Sequence, residues 1–588
     1  MPRPPHNKAA RRRLLGGIAL GALALPLPAQ KQPDVRVDRD AGTSFATLPK
    51  VAASGPNVYV VWEDGRSGAR DIYFTRSPDR GATWAAADVR LDTDIAGSAV
   101  SALPRVAASG RRVYVTWLDE RNGQADIYFN RSLDGGITWL AADVRLDTDA
   151  PGSAFSADPQ IAVVGSNVYV VWADNRSGVN DVYCNRSLDG GTTWLRADVR
   201  LDTGPATTDS ELPQLAADGN GVWVAWWDTR NGNGDVFCNY SRDRGTTWLA
   251  QDVRLDTNAP GATPSAEVQI AASDDAVYVT WRELRGSEAD VYLNRSLDGG
   301  ATWLPADVRL DTDPAGSAAS FAPQIVATGP HVYVVWQDFR NGLSNIYLNR
   351  SPDAGTTWLA ADVRIDTSPP GSSLSIDPRI AVAGHNVYVT WEDFRDRGID
   401  IFVSRSLDDG RTWLGADVRL DTDPRGAATS LGPNIAAAGD AAYVIWEEYR
   451  RGDADVHCNV PFALHPYGTA ASPSAIAPEL AGTGEPWIGG EIVLRVAHAP
   501  GGAAAALLVG GPGSQIALPW QGGTLWVMPS AALPLAIVGP ALPGAGRGEM
   551  CLPIPDDPAL IGANANFQAL IDEAPTVSLT NAVELWIG

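Results

Sequence analysis

Apolar and polar positions alternate along most of this chain in short runs, separated by clusters of glycine, aspartate, asparagine and serine. A period of two marks a strand with one buried face, and no run carries the longer period of an amphipathic helix. Residues 103–147 show the unit. A short first strand begins beside Pro104, whose missing N–H suits a strand's opening. Residues 112–119 and 126–132 supply second and third strands rich in β-branched and aromatic side chains, and 138–147 a fourth. The chain therefore reads as all-β, built from four-stranded units.

The units keep a strict period. The phrase Ser-x-Asp-x-Gly-x-Thr-Trp, or a one-residue variant, stands at 77–84, 132–139, 187–194, 241–248, 296–303, 351–358 and 406–413. Its tryptophans step by 55 residues, broken once by 54. A fixed period of that size means a solenoid or a propeller. Each phrase suits a hairpin corner. Ser132 and Asp134 bond the turn backbone, Gly136 supplies a positive φ, and Trp139 starts the next strand and packs under the turn. The phrase resembles the Asp-box, or bacterial neuraminidase repeat, of sialidase-like β-propellers. That resemblance implies a propeller with the boxes as fold staples opposite the active face. It does not imply sialidase activity, because Asp-boxes also occur in receptors, other glycosidases and assembly factors.

Counting gives eight blades. The second-strand signature Trp-x-Asp/Glu-x-Arg occurs at Trp62, Trp117, Trp172, Trp226, Trp281, Trp336, Trp391 and Trp446. The fourth-strand signature Val-Arg-x-Asp begins at Val35, Val89, Val144, Val199, Val253, Val308, Val363 and Val418, and the first precedes any first strand. Residues 34–38 are thus expected to complete the last blade beside residues 455–460, closing the ring and removing an open edge. A seven-bladed ring with a frayed eighth unit is the alternative.

Three segments follow from composition. Residues 1–29, with Arg11, Arg12 and Arg13 before an apolar stretch, read as a signal peptide, either twin-arginine or ordinary secretory, with a retained anchor as the alternative. Residues 34–460 are the propeller. Residues 466–588, rich in Gly, Ala, Pro and Leu, read as a small β-sandwich and resemble tail domains of exported planctomycete-type proteins. Removing the leader, which holds five basic and no acidic residues, takes the net charge from −23 to −28. Such a surface repels nucleic acid and anionic lipid, so neither is an expected partner. Cys184, Cys238 and Cys458 fall in one apolar column, on blades too far apart for a disulfide. No cofactor or metal spacing stands out. The spaced aspartates of Asp92-Thr93-Asp94 hint only weakly at calcium.

Repeated charges read as architecture. Each blade places an arginine two residues after the second-strand acid (Asp64/Arg66, Asp119/Arg121 and their equivalents), and an acid opens the third strand (Asp71, Asp126), so each arginine is expected between those two carboxylates. Function is sought where the repeats differ. At the start of the first strand the variable position reads Lys50, Arg105, Gln160, Gln214, Gln269, Gln324, Arg379 and Asn434. Lys50, Arg105 and Arg379, with Asn434 among them, predict a cationic sector on blades one, two, seven and eight. Two places earlier stand Asp158, Glu267 and Asp377, and Trp227 and Arg282 depart from the pattern on blades four and five. No lone tyrosine stands beside a lone glutamate as in a sialidase. These positions predict an exported, noncatalytic, monomeric scaffold binding a glycan or cell-surface polymer through the face opposite the Asp-boxes. The alternative is a sialidase-like exo-glycosidase holding a carboxylated sugar with Arg379, Arg105 and Lys50.

Overall fold

The computed structural model describes residues 34–40 and 44–461 apart from 397, 440 and 451, together with ten strands between 465 and 586. Residues 1–29, expected to be a signal peptide, and Lys31 lie outside the described residues. The repeats form an eight-bladed β-propeller of four-stranded sheets, and no helix occurs among the described residues. In blade two the strands are β6 (Ser101–Ser109), β7 (Arg112–Asp119), β8 (Asp126–Ser132) and β9 (Val144–Arg145), paired in that order. The outer strand is only two residues long, shorter than the pattern suggested, because Leu146 turns inward and Asp147 caps the Ile127 amide.

The last blade is completed by the opening strand. β32 (Asp455–Asn459) pairs with β1 (Val35–Arg36), Val35 opposite Cys458 and Arg36 opposite His457. Around that pairing, Val37 donates to the Val456 carbonyl at 2.8 Å, the Val456 amide donates to Asp38 at 2.8 Å, and Asp34 bonds Arg450. Chain ends meeting within one sheet leave the ring no free edge.

Adjacent blades share a core. The fully buried Trp117 of blade two packs with Tyr59, Val61 and Phe74 of blade one, and the same set recurs around the ring. The recurring Ser-x-Asp-x-Gly-x-Thr-Trp turns add a second layer. Ser132 Oγ accepts the Gly136 amide at 2.8 Å and donates to Asp134, which also accepts the Thr138 amide and hydroxyl. Trp139 packs edge-on against Phe74 of the preceding blade, ring centroids 4.8 Å apart, rather than only under its own turn. Gly136 is required there: its φ is +80°, and an added Cβ would lie 2.4 Å from the Phe74 ring. This turn therefore fastens neighbouring blades together.

Beyond the propeller, β33 (His465–Tyr467), β34 (Glu479–Gly484), β35 (Glu491–Ala499), β36 (Ala504–Gly510), β39 (Ala531–Val538), β40 (Gly546–Pro553), β41 (Asn564–Glu573) and β42 (Thr576–Trp586) join in one eight-stranded order, β33-β42-β41-β36-β39-β40-β35-β34. A separate hairpin joins β37 (Gln515–Trp520) to β38 (Gly523–Val527).

Candidate functional site at the pore mouth

The first strand of every blade carries a bulge near its start. In blade one, Thr47 pairs with Glu63 and Lys50 with Val61, so Leu48 and Pro49 bulge between them. The first bulged residue is left-handed in all eight blades: Leu48, Leu103, Asp158, Leu212, Glu267, Ala322, Asp377 and Gly432 have φ from 50° to 61°. Seven are not glycine, and each such residue costs on the order of 1 kcal/mol. Proline follows in seven blades, where no N–H is needed. The bulge lies at the end of the strand away from the Ser-x-Asp-x-Gly-x-Thr-Trp turns. In five blades the bulge amide donates to a side chain of the preceding blade, and in one of these Ala322 donates to the first-strand residue Glu267 at 2.7 Å.

Those amides reveal a set of residues the sequence reading missed. Leu48 N–H donates to Glu447 at 2.8 Å, Leu103 to Glu63 at 3.1 Å, Gly432 to Glu392 at 2.7 Å and Asp377 to Gln337 at 2.9 Å. The acceptors share one second-strand column, which continues as Leu118, Ala173, Trp227 and Arg282 on the other blades. The sequence reading singled out Trp227 and Arg282 from that column. The glutamates passed unnoticed because what they bond, a bulge amide of the next blade, is not legible within one repeat. Glu447 also accepts the Tyr449 hydroxyl at 3.1 Å, a tyrosine–glutamate pair that the sequence reading did not find. Burial pushes Glu392 up to about 7 and also raises Glu447.

The cations stand among these carboxylates. Burial, aided by Arg105 and Arg379, pulls the Lys50 ammonium down to about 7, while Glu447 and Asp377 oppose the shift. Among the described residues, Lys50 makes no hydrogen bond or ion pair. Arg105 reaches only neutral oxygens, Gln160 at 3.3 Å and the Pro104 carbonyl at 3.2 Å; burial lowers its pKa, and Asp158 acts on it from beyond contact. Arg379 pairs with Asp377 at 3.0 Å. Asn434 accepts the Val51 amide at 3.1 Å, tying blade eight to blade one.

Lys50, Arg105, Arg379, Asp377 and Asn434 thus fall in one sector, with Asp158 at its edge. The other three do not join it. Glu267 and Arg282 pair with each other at 3.1 Å on blade five, with Arg282 over the Phe321 ring. Trp227 packs at the interface of blades four and five, its indole in the space that Gly234 leaves open. The sector's face also exposes Phe45, Leu48, Phe155 and Leu212. On the opposite face, a shallow open depression of about 390 Å³ lies between Leu188, Asn220, Arg242 and Arg244.

The repeated arginines are placed differently from expectation. Arg66 bonds Asp64 at 2.6 Å and Asp88, ahead of the outer strand, at 2.8 Å, and lies 4.1 Å over the Tyr73 ring. Asp71 instead pairs with Arg90 at 3.1 Å. The sequence reading matched Arg66 to Asp71 because it lacked the register that sets Tyr73 opposite Arg90. Asp71, Asp92 and Asp94 lie close enough to share a cation, and the Arg90 guanidinium already stands among them.

No protein-family model and no curated protein matches the chain. Solved structures that resemble it include the polysaccharide lyase Uly1 (12% identity, TM-score 0.40, 63% of this chain and 90% of that one). A Trypanosoma rangeli sialidase with 2,3-difluorosialic acid matches at 12% identity and TM-score 0.33, over 76% and 92% of the two chains. A GH43 endo-arabinanase from Bacillus licheniformis matches at 14% identity and TM-score 0.26, over 44% and 95%.

Proposed function

We propose that this is an exported propeller that binds an acidic polysaccharide at the pore mouth, holding its carboxylates against Lys50, Arg105 and Arg379. One observation carries the reading: Lys50 and Arg105 are half-buried cations without a carboxylate in contact, in a chain whose recurrent arginines are clamped by two or three. Cations left at close quarters repel one another, and an anionic ligand relieves that cost. The half-buried Thr47 and exposed Phe45 and Leu48 beside them suit hydroxyls and the apolar faces of sugar rings. The test is retention on immobilised polygalacturonate and on neutral dextran. Retention on polygalacturonate alone, lost in an Arg105→Gln, Arg379→Gln double variant, supports the reading; equal retention on both matrices refutes it.

A second reading, hydrolysis of a glycoside of a carboxylated sugar, is favoured by the Tyr449–Glu447 hydrogen bond and by Glu392, whose raised pKa suits a general acid. Turnover of a fluorogenic sialoside that disappears in Tyr449→Phe would establish it.

A further inference from the structure

We propose that Lys50 is a nucleophilic amine that captures a 2-oxo acid as a reversible imine, with the ligand's carboxylate held by Arg105 and Arg379. The inference rests on the anion-binding reading above and adds the class of end group that the site recognises.

Three observations converge. Lys50 lacks any hydrogen-bond or ion-pair partner among the described residues, so no contact engages its nitrogen. It stands on the inner strand of blade one directly after the bulge, the same register position that Arg105 holds on blade two and Arg379 on blade seven, so the three cations sit at one level of the ring, where both guanidinia disfavour its ammonium form. It is also the only lysine after Lys31, in a chain that otherwise uses arginine for its cations. An arginine at this position would serve simple anion binding as well as its neighbours do. A lysine differs in one chemical respect: it yields a neutral amine when desolvated beside other cations, and a neutral amine adds to carbonyl carbon.

The step balances without an added reagent. The Lys50 nitrogen lone pair attacks the ligand's ketone carbon, giving a carbinolamine. Its hydroxyl leaves as water, taking both amine protons with it in net, and a carbon–nitrogen double bond remains. The proton shuttle we assign to this step is Glu447, whose carboxyl accepts the amide of Leu48, two residues from Lys50, and would hand a proton to the departing hydroxyl and recover one from nitrogen. The ketone selects for an amine and the adjoining carboxylate for the two guanidinia, so a 2-oxo acid satisfies both where a plain ketone satisfies one. A free 2-oxo acid and the open-chain reducing end of a sugar acid share this chemistry.

The experiment treats the full-length protein with pyruvate and cyanoborohydride at neutral pH, then reads intact mass and a peptide map. The expected result is one reduced adduct on the peptide containing Lys50, with acetone giving roughly tenfold less because it lacks the carboxylate. Lys50→Arg abolishes the adduct, and Arg105→Gln lowers its yield severalfold. Repeating the trap with a reducing sugar acid separates the two sources of ligand. No adduct at Lys50 while polygalacturonate still binds overturns this inference and leaves the binding reading standing. Equal trapping of acetone and pyruvate overturns the assignment of the carboxylate pocket.

Discussion

Arginines of the same repeat meet opposite fates at the rim and at the mouth. At the rim, Arg121 is gripped by Asp119 at 2.6 Å and Asp143 at 2.9 Å and covers the Tyr128 ring. At the mouth, Arg105 reaches two neutral oxygens. The carboxylates drive the rim guanidiniums' pKa up, and burial drives that of Arg105 down. The difference teaches how to find a site in a symmetric protein. Charge that recurs with its counter-charge is structure. Charge that occurs in one sector without a contacting counter-charge is held at a cost, and that cost marks the sector out for test.

The largest expected effect breaks the rim. Arg121→Ala leaves Asp119 and Asp143 buried and uncompensated, which costs about 3 kcal/mol of stability. Urea unfolding should show the loss, and retention on polygalacturonate per folded molecule should stay unchanged. An Arg105→Gln, Arg379→Gln variant should do the reverse. Its affinity for polygalacturonate falls by roughly tenfold or more, while stability shifts by less than about 1 kcal/mol.

pH sharpens the contrast. Lys50, brought down to about 7, is charged below that value and neutral above it, and Glu392, brought up to about 7, gains its negative charge over the same interval. Both changes remove positive character from the mouth, so affinity for polygalacturonate should fall as pH rises from 6 to 8. Lys50→Met should flatten that dependence. The stability effects run in opposite directions. Glu392 binds a proton more tightly folded than unfolded, so its contribution is present at low pH and is lost as pH rises from its ordinary value through 7. Lys50 holds its proton less tightly when folded, so its penalty is full below 7 and relaxes at higher pH. Rim arginines do not titrate in this range, and variants there should leave the binding profile unchanged. The smallest expected effect is Tyr449→Phe, which removes one hydrogen bond to Glu447 and should cost about 1 kcal/mol in urea unfolding.

Much of this was legible from residue order. Eight Trp-x-Asp/Glu-x-Arg signatures and an unpaired Val35-Arg36 gave the blade number and the closing strand, because a strand lacking its own sheet must complete another's. Lys50, Arg105 and Arg379 were legible as departures within one column. Glu63, Glu392 and Glu447 were not, because their meaning depends on a bulge amide of the next blade. Trp227 and Arg282 were legible as departures too, but not that the Trp227 indole lies beside Gly234 or that Arg282 pairs with Glu267. Tyr449 has seven unlike counterparts, among them Gly65, Glu120 and Phe394, so nothing in its own column marked it.

The sequence by itself determined the repeat, the number of blades and which blades carry odd charges, since periodicity and composition are properties of order along the chain. The tertiary structure decided which charges are satisfied. Whether a guanidinium meets a carboxylate depends on register between strands and contact between blades, and residues far apart in sequence set both. That is why Arg66 takes Asp88 in place of Asp71, and why Lys50 stands unpaired within reach of Arg379.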